Sequence, residues 1–261
     1  MRKIALLLLA CLSVSVIYAQ KTDYNTVKTK ADRYFKYEDW RSALAMYELL
    51  LAQDATDSET YARGIVVSGI IKENDLQKSF LERAEKNVIP YDTLFVKVKS
   101  NSLNLGEPYV YTDFMLRVRD SKPWLERMVN IRLLDFFLFR NDADNIIKIA
   151  EALLKDTPKN VQFLGALAEG YILKADFEKS AGCYKKILLI DKDNYDAVVN
   201  LGNYYDSFPK AENDSVSLKN SANALSCFRK AMELKPTPYI EKRVEELNEL
   251  VNGPLPGKKR K

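Results

Sequence analysis

The stretch LGALAEGYILKADFEKSAGCYKKIL, residues 164–188, decides the fold. Shifting the chain against itself by 34 residues brings Leu134, Ala168 and Gly202 into one column and Phe137, Tyr171 and Tyr205 into another. Ala150 then falls on Tyr184, Leu153 on Ile187 and Pro158 on Lys192. Self-similarity at a fixed period of this size marks a stacked repeat. Within one period, Asn130, Leu133, Leu134 and Phe137 recur at steps of three and four, which is one face of a helix. Asp142 to Asp144 interrupts that face, and Ile146, Ile147, Ala150, Leu153 and Leu154 restart it. Pro158 closes the second helix, because proline lacks the backbone donor and clashes with the preceding turn. Leu164, Leu167, Ala168 and Tyr171, followed by Ala181, Tyr184, Ile187 and Leu188, repeat the plan. Ala168 and Gly202 stand where paired helices approach closely and only a small side chain fits.

These columns resemble the tetratricopeptide repeat, whose pattern runs W-x2-L-G-x2-Y, then A-x3-F, then P. The matching residues are Leu164, Leu167, Ala168, Tyr171, Ser180, Tyr184 and Ile187, and then Leu201, Gly202, Tyr205, Ala224, Phe228, Ala231 and Pro236. Near the start, Ala31, Tyr34, Ala43 and Tyr47 match as well, with Ala55 in the place of the proline. From Ala31 to Leu134 is 103 residues, three periods plus one, which leaves room for two more hairpins. The resemblance implies an all-α, right-handed superhelical stack of about six hairpins. Tyr239 to Val251, with Ile240, Val244, Leu247 and Leu250 on one stripe, would be its C-terminal capping helix.

The pattern thins in the middle. Tyr61, Gly64, Ile65 and Ala84 keep traces of it, and Pro90 closes that unit one residue late. Asp92 to Leu103 and Tyr109 to Val118 read as helices joined by Gly106, Glu107 and Pro108, although Phe95, Val96, Val98 and Tyr109 to Tyr111 also suit strands. Near the other end, Tyr184 to Phe228 is 44 residues, ten more than a period, and the excess falls in Ser207 to Ser221. That stretch is rich in Asn, Asp, Ser and Lys and reads as a loop.

Ahead of the repeats, Arg2 and Lys3 precede an uncharged apolar run, Ile4 to Ile17, which ends at Tyr18, Ala19 and Gln20. Those are the parts of a secretory signal peptide. The run is shorter than the roughly 20 residues a membrane-spanning helix needs, so cleavage after Ala19 is favoured. Lipidation of Cys11, in a Leu8-Leu9-Ala10-Cys11 motif like a bacterial lipobox, is the alternative and the one route to membrane contact. The expected division is therefore a leader (1–19), a repeat domain (20–251) and a disordered basic tail (252–261).

Without Arg2 and Lys3, Lys plus Arg falls from 40 to 38 against 36 Asp plus Glu, a net charge of +2. Four of those positive charges are Lys258, Lys259, Arg260 and Lys261, so the body lacks the concentrated basic face of a nucleic-acid binder. Cys183 and Cys227 hold the same place in consecutive repeats. Helices one diameter apart, about 10 Å, stand farther than the about 7 Å a disulfide tolerates between Cα atoms. Both cysteines should therefore be free.

The sequence contains no histidine, which removes Ser–His and Cys–His nucleophile systems and the commonest metal ligand. Asp191, Asp193 and Asp196 fail the calcium-loop pattern, with Asp196 at the glycine place and Gly202 at the glutamate place. No catalytic residue, metal site or cofactor is expected.

In proteins of this repeat family the first helices line a groove that holds peptides. Carried over by position, the partner-binding residues would be Phe35 in the first repeat, then Arg132, Asp135 and Phe139 in a later one. Glu169 and Ile172 come from the next repeat, and Asn200 and Asn203 from the last. Asp32 occupies a place where a carboxylate clamp wants asparagine, so no such clamp is expected. Phe136 to Phe139 is apolar all round, and reads either as buried or as a groove floor gripping a hydrophobic segment. The expected function is an exported, periplasmic adaptor binding a protein or peptide. The alternative is a helical binder of a small ligand or glycan, with Trp40 or Trp124 at its pocket.

Overall fold

The computed structural model describes residues 23–209 and 215–253, so the leader, Cys11 and the tail from residue 254 lie outside the described residues. Thirteen α-helices account for most of the described chain, and no strand occurs among these residues. In chain order they are α1 (Tyr24–Lys36), α2 (Trp40–Gln53), α3 (Ser58–Ile70), α4 (Asn74–Lys86), α5 (Tyr91–Asn104) and α6 (Pro108–Ser121). After a 3-10 turn at Pro123–Leu125 follow α7 (Glu126–Arg140), α8 (Ala143–Asp156), α9 (Val161–Leu173) and α10 (Phe177–Ile190). The chain ends with α11 (Tyr195–Asp206), α12 (Ser215–Leu234) and α13 (Pro238–Asn252). These are six hairpins and a final helix. The segment 91–121 forms two helices, and the strand reading of Phe95, Val96, Val98 and Tyr109 to Tyr111 does not hold.

The turn inside each of the first five hairpins shows the period most plainly. Glu38, Lys72, Gly106, Asn141 and Ala175 all adopt the left-handed conformation, with φ of 60°, 62°, 73°, 54° and 58°. They are spaced by 34 residues, except for one step of 35 between Gly106 and Asn141. An acidic residue follows every one of them: Asp39, Glu73, Glu107, Asp142 and Asp176. The aspartates cap the helix that begins there, accepting from the backbone N–H of Ser42, Asn145 and Lys179 at 3.2–3.3 Å. Glu73 is one methylene too long and makes no side-chain cap bond. Replacing it with the residue three of its four counterparts use, Glu73→Asp, is expected to raise stability by up to about 1 kcal/mol. The check is the urea midpoint, which should rise at unchanged slope.

The chain divides into two compact units between Ser121 and Lys122. In the second unit, α9 packs against both α8 and α10, α11 against both α10 and α12, and α13 against α12. This is the stacking order of a helical-hairpin array. Gly170 lets α9 approach α8, since a Cβ there would lie 2.8 Å from Ile147 Cγ1. Gly202 does the same toward α12, 3.1 Å from the Phe228 ring. Helix α13 buries Ile240 and Leu247 completely among Val198, Ala224, Leu225, Phe228 and Ala231. Arg243 further ties it to Asp206 of α11.

Helix α12 begins at Ser215, inside the stretch expected to be loop. The reason is that Ser217, Ser221, Ala224, Leu225 and Phe228 are all buried and fall on one helical face. Two of them are serines, so the stripe does not read as apolar. The small hydroxyls fit the crowded face, with Ser217 Oγ donating to the Pro209 carbonyl at 3.1 Å.

The first unit stacks less regularly. Helix α5 packs chiefly on α3, and α6 also touches α3. The column that holds Ala31, Leu134, Ala168 and Gly202 at the helix crossings holds Lys99 in this hairpin. A lysine cannot fill the tight crossing between α5 and α6, so the hairpin opens and α5 turns toward α3. Helix α3 is consequently buried on most sides, including Tyr61, Ala62 and Ile65 to Ser68.

Cys183 and Cys227 are free, as their register requires. Burial raises both thiol pKa values. The turn Asp191–Asn194 is closed by its own polar groups, with Asp191 accepting from the Asp193 backbone at 3.2 Å and from Asn194 at 3.1 Å.

Candidate functional site

In the first unit the first helices of three hairpins present a polar ladder. Asp32 of α1 pairs with Arg63 of α3, and Arg63 Nε donates to Glu59 Oε1 at 3.0 Å. From α5, Lys97 Nζ lies 3.3 Å from Glu59 Oε2 and Asn101 Nδ2 donates to Glu59 Oε1 at 3.0 Å. Burial alone would raise the Glu59 pKa. The Asn101 hydrogen bond and the Arg63 and Lys97 charges outweigh it and hold the carboxyl below its ordinary value. Phe35 belongs to this ladder, since the Arg63 guanidinium sits 4.8 Å above its ring and Trp40 packs edge-on against it at 6.0 Å. Asp32 is engaged by Arg63, so it has no part in an anion clamp. The ladder satisfies itself internally. It orders the stack and leaves little unspent polarity for a ligand.

In the second unit the remaining site residues lie on α7, α9 and α11. Arg132 is half-buried on α7, while Asp135 and Phe139 are exposed, Phe139 at 72 %. Its neighbours Phe136 and Phe137 are buried and meet edge-on at 5.6 Å. The all-apolar run therefore splits, with two rings serving the core and one left outside. Glu169 and Ile172 are exposed on α9, whereas Ala166, one of the small residues of that face, belongs to the core.

Ile172, Asn200 and Asn203 are brought together. They line a cleft of about 230 Å³ between α9, α10 and α11, with Phe177, Tyr184 and Tyr204. Asn200 Nδ2 donates to the Asp196 carbonyl at 2.8 Å, and Asn203 Oδ1 accepts from the Tyr239 hydroxyl at 2.7 Å. Asn200 thus keeps its side-chain carbonyl and Asn203 its amide hydrogens, one acceptor and one donor a helical turn apart. Those groups match what an extended backbone segment presents. Apart from Ser180 and Ser207, the rest of the cleft is apolar or aromatic, and Phe208 packs edge-on against Tyr204 at 5.2 Å.

Sequence reasoning missed Phe177, Tyr184 and Tyr204 as cleft residues. Phe177 sits at the first position of α10, where an apolar side chain serves no helix start, and it is 54 % exposed. That mismatch is the one signal the sequence offers for it. Tyr184 reads as a repeat-column residue, and Tyr204 is hidden beside Tyr205. The two tryptophans lie elsewhere: Trp124 is exposed below Lys122, and Trp40 packs on Phe35. Among the described residues no group of three or more Cys, Asp and Glu side chains could hold a metal ion.

No protein-family model matches the chain. No curated protein matches it at a significant level. Among solved structures it is similar to the C-terminal part of a TPR repeat-containing protein from Cytophaga hutchinsonii, at 14 % identity and TM-score 0.48, over 87 % of this chain and 85 % of that one. It is similar to PilW, described as a widely conserved type IV pilus biogenesis factor, at 13 % identity and TM-score 0.47, over 85 % and 99 %. A third is a putative protein binding protein from Bacteroides ovatus, at 16 % identity and TM-score 0.41, over 60 % and 96 %. All three superpose loosely, so the assignment to helical-hairpin repeats rests on the hairpins themselves and on the 34-residue spacing of their turns.

Proposed function

We propose that this chain is an exported scaffold that holds an extended segment of another protein along α7, α9 and α11. The observation that carries the reading is the unspent acceptor of Asn200 and donor of Asn203 beside the apolar cleft. Side-chain amides of that kind bind a backbone without reading its sequence, and Ile172, Phe177 and Tyr204 would take one apolar side chain. Arg132, Asp135 and Glu169 would set the charge preference, and Phe139 would grip a second apolar residue. The chain acts by binding and carries out no reaction of its own.

The uncharged run Ile4–Ile17 supports export, with cleavage after Ala19 and a periplasmic location. No helix among the described residues is long and apolar enough to cross a membrane.

A photo-crosslinking amino acid placed in turn at positions 139, 172 and 203 of the protein in its native envelope tests the reading. The expected result is one common crosslinked partner at all three positions, and none at Leu189, which is 87 % exposed on α10. Equal yields at 189 would dismiss a groove. Phe139→Asp should abolish capture of that partner while leaving helicity by circular dichroism unchanged, because the ring is already in solvent.

A further inference from the structure

The first unit holds a cleft of its own. It lies within the first unit between α4 and α6, with a volume of about 420 Å³. Its floor is apolar and buried: Leu81, Phe114 and Val118 are 5 %, 2 % and 1 % exposed. At its edge Arg117 is held by two neutral oxygens, since Nη1 donates to Asn74 Oδ1 at 2.6 Å and to Gln77 Oε1 at 2.7 Å. Gln77 is itself 3 % exposed and fixed by donating to the Ile65 carbonyl at 3.0 Å. Arg117 is thus positioned by amides that do not neutralise it, and its Nε and Nη2 have no protein partner among the described residues.

The other charges at the rim are accounted for. Asp120 accepts from Arg119 at 3.4 Å, and Lys78 lies 3.7 Å from Glu82. Asp75 stands in the first turn of α4, where a carboxylate is favoured by the helix dipole. A cavity of this size is at the lower end for small-molecule sites, which combine an apolar lining with a few fixed polar groups. A guanidinium fork with one edge open suits a carboxylate above any neutral group.

We propose that this cleft binds a small amphipathic acid, with its apolar chain on Leu81, Phe114 and Val118 and its carboxylate on Arg117. The inference does not depend on the groove of the second unit.

Octanoate, 1-octanol and octylamine titrated calorimetrically into the protein test it. Octanoate should bind saturably and at least about tenfold more tightly than octanol, the scale of a hydrogen bond to a charged group. Arg117→Gln should erase that difference, and Arg117→Lys should restore part of it, with helicity checked by circular dichroism for each. Equal affinity for octanoate and octanol overturns the proposal, as does an absence of saturable heat. Unchanged octanoate binding in Arg117→Gln places the ligand elsewhere and also overturns it. Preferred octylamine binding would mean that Asp75 governs the cleft, and would do the same.

Discussion

Replacing Gly64 with valine should cost the protein about 3 kcal/mol or more, the upper range for forcing methyl groups into a filled core. A Cβ at this position would sit 2.6–2.7 Å from three ring carbons of Phe80, closer than real Cβ contacts allow. The ring cannot retreat. Phe80 is fully buried, and the Arg83 guanidinium lies 4.6 Å over its ring. Even Gly64→Ala should destabilise, although alanine in a helix interior is worth about 1 kcal/mol over glycine. The comparison that isolates the cause is Gly182→Ala on α10, where nothing lies within 4 Å of the new methyl. That substitution should stabilise by about the same 1 kcal/mol. Identical chemistry then gives opposite signs, decided by Phe80 alone. Adding Phe80→Leu to Gly64→Ala should recover part of the loss, a coupling that denaturant melts of the four variants would measure. Additive losses would mean that the two residues do not meet and that α3 and α4 pack otherwise.

How much of this was legible in the sequence follows from which residues carry each feature. The regular hairpins announce themselves, because Leu134, Ala168 and Gly202, or Phe137, Tyr171 and Tyr205, do the same packing job at the same place. The third hairpin is faint because its packing differs. Lys99 replaces the small or apolar crossing residue, α5 leans on α3, and a consensus written for the ordinary crossing no longer applies. Helix α12 was obscured for another reason. Its buried stripe uses Ser217 and Ser221, and hydroxyls read as loop when no neighbour is visible to crowd them. The recurring left-handed residue followed by an acid, as in Glu38-Asp39 and Ala175-Asp176, is present in five hairpins. Its residue types vary too much for it to stand out without φ angles. For the site, helical position alone named Ile172, Asn200 and Asn203 as groove-facing places, and the structure adds that the three line one cleft. Helical position could not foresee that Phe35 would be taken by Arg63 and Trp40, since that requires knowing which rotamers the neighbouring helix offers.

The second large effect is expected from Leu247→Asp in the capping helix. Leu247 is completely buried in the apolar cluster with Val198, Ala224, Leu225, Phe228 and Ile240. Leucine contributes about 1.5–3 kcal/mol there by leaving water. A carboxylate in its place loses that contribution and adds the cost of an uncompensated charge, together more than about 4 kcal/mol. Arg243, one turn earlier, is already engaged by Asp206 and Glu246 and is poorly placed to compensate. The chain has a way to limit the damage, which is to release α13. The penalty then cannot exceed what docking of α13 contributes, and the exposed faces of Leu225 and Phe228 pass a smaller share on to α12. In a stacked array each hairpin depends on its neighbours and not on the whole. Amide hydrogen exchange should therefore show protection lost in α13, reduced by about a hundredfold or more in α12, weakened in α11 and unchanged in α1–α6. A compact globule with one shared core would respond differently, losing protection in every helix at once by global unfolding. That uniform pattern would rule out the nearest-neighbour stack on which the groove reading stands. The graded pattern would show that the final helix holds the last hairpin closed, and with it the Tyr239 hydroxyl that fixes Asn203 at the cleft.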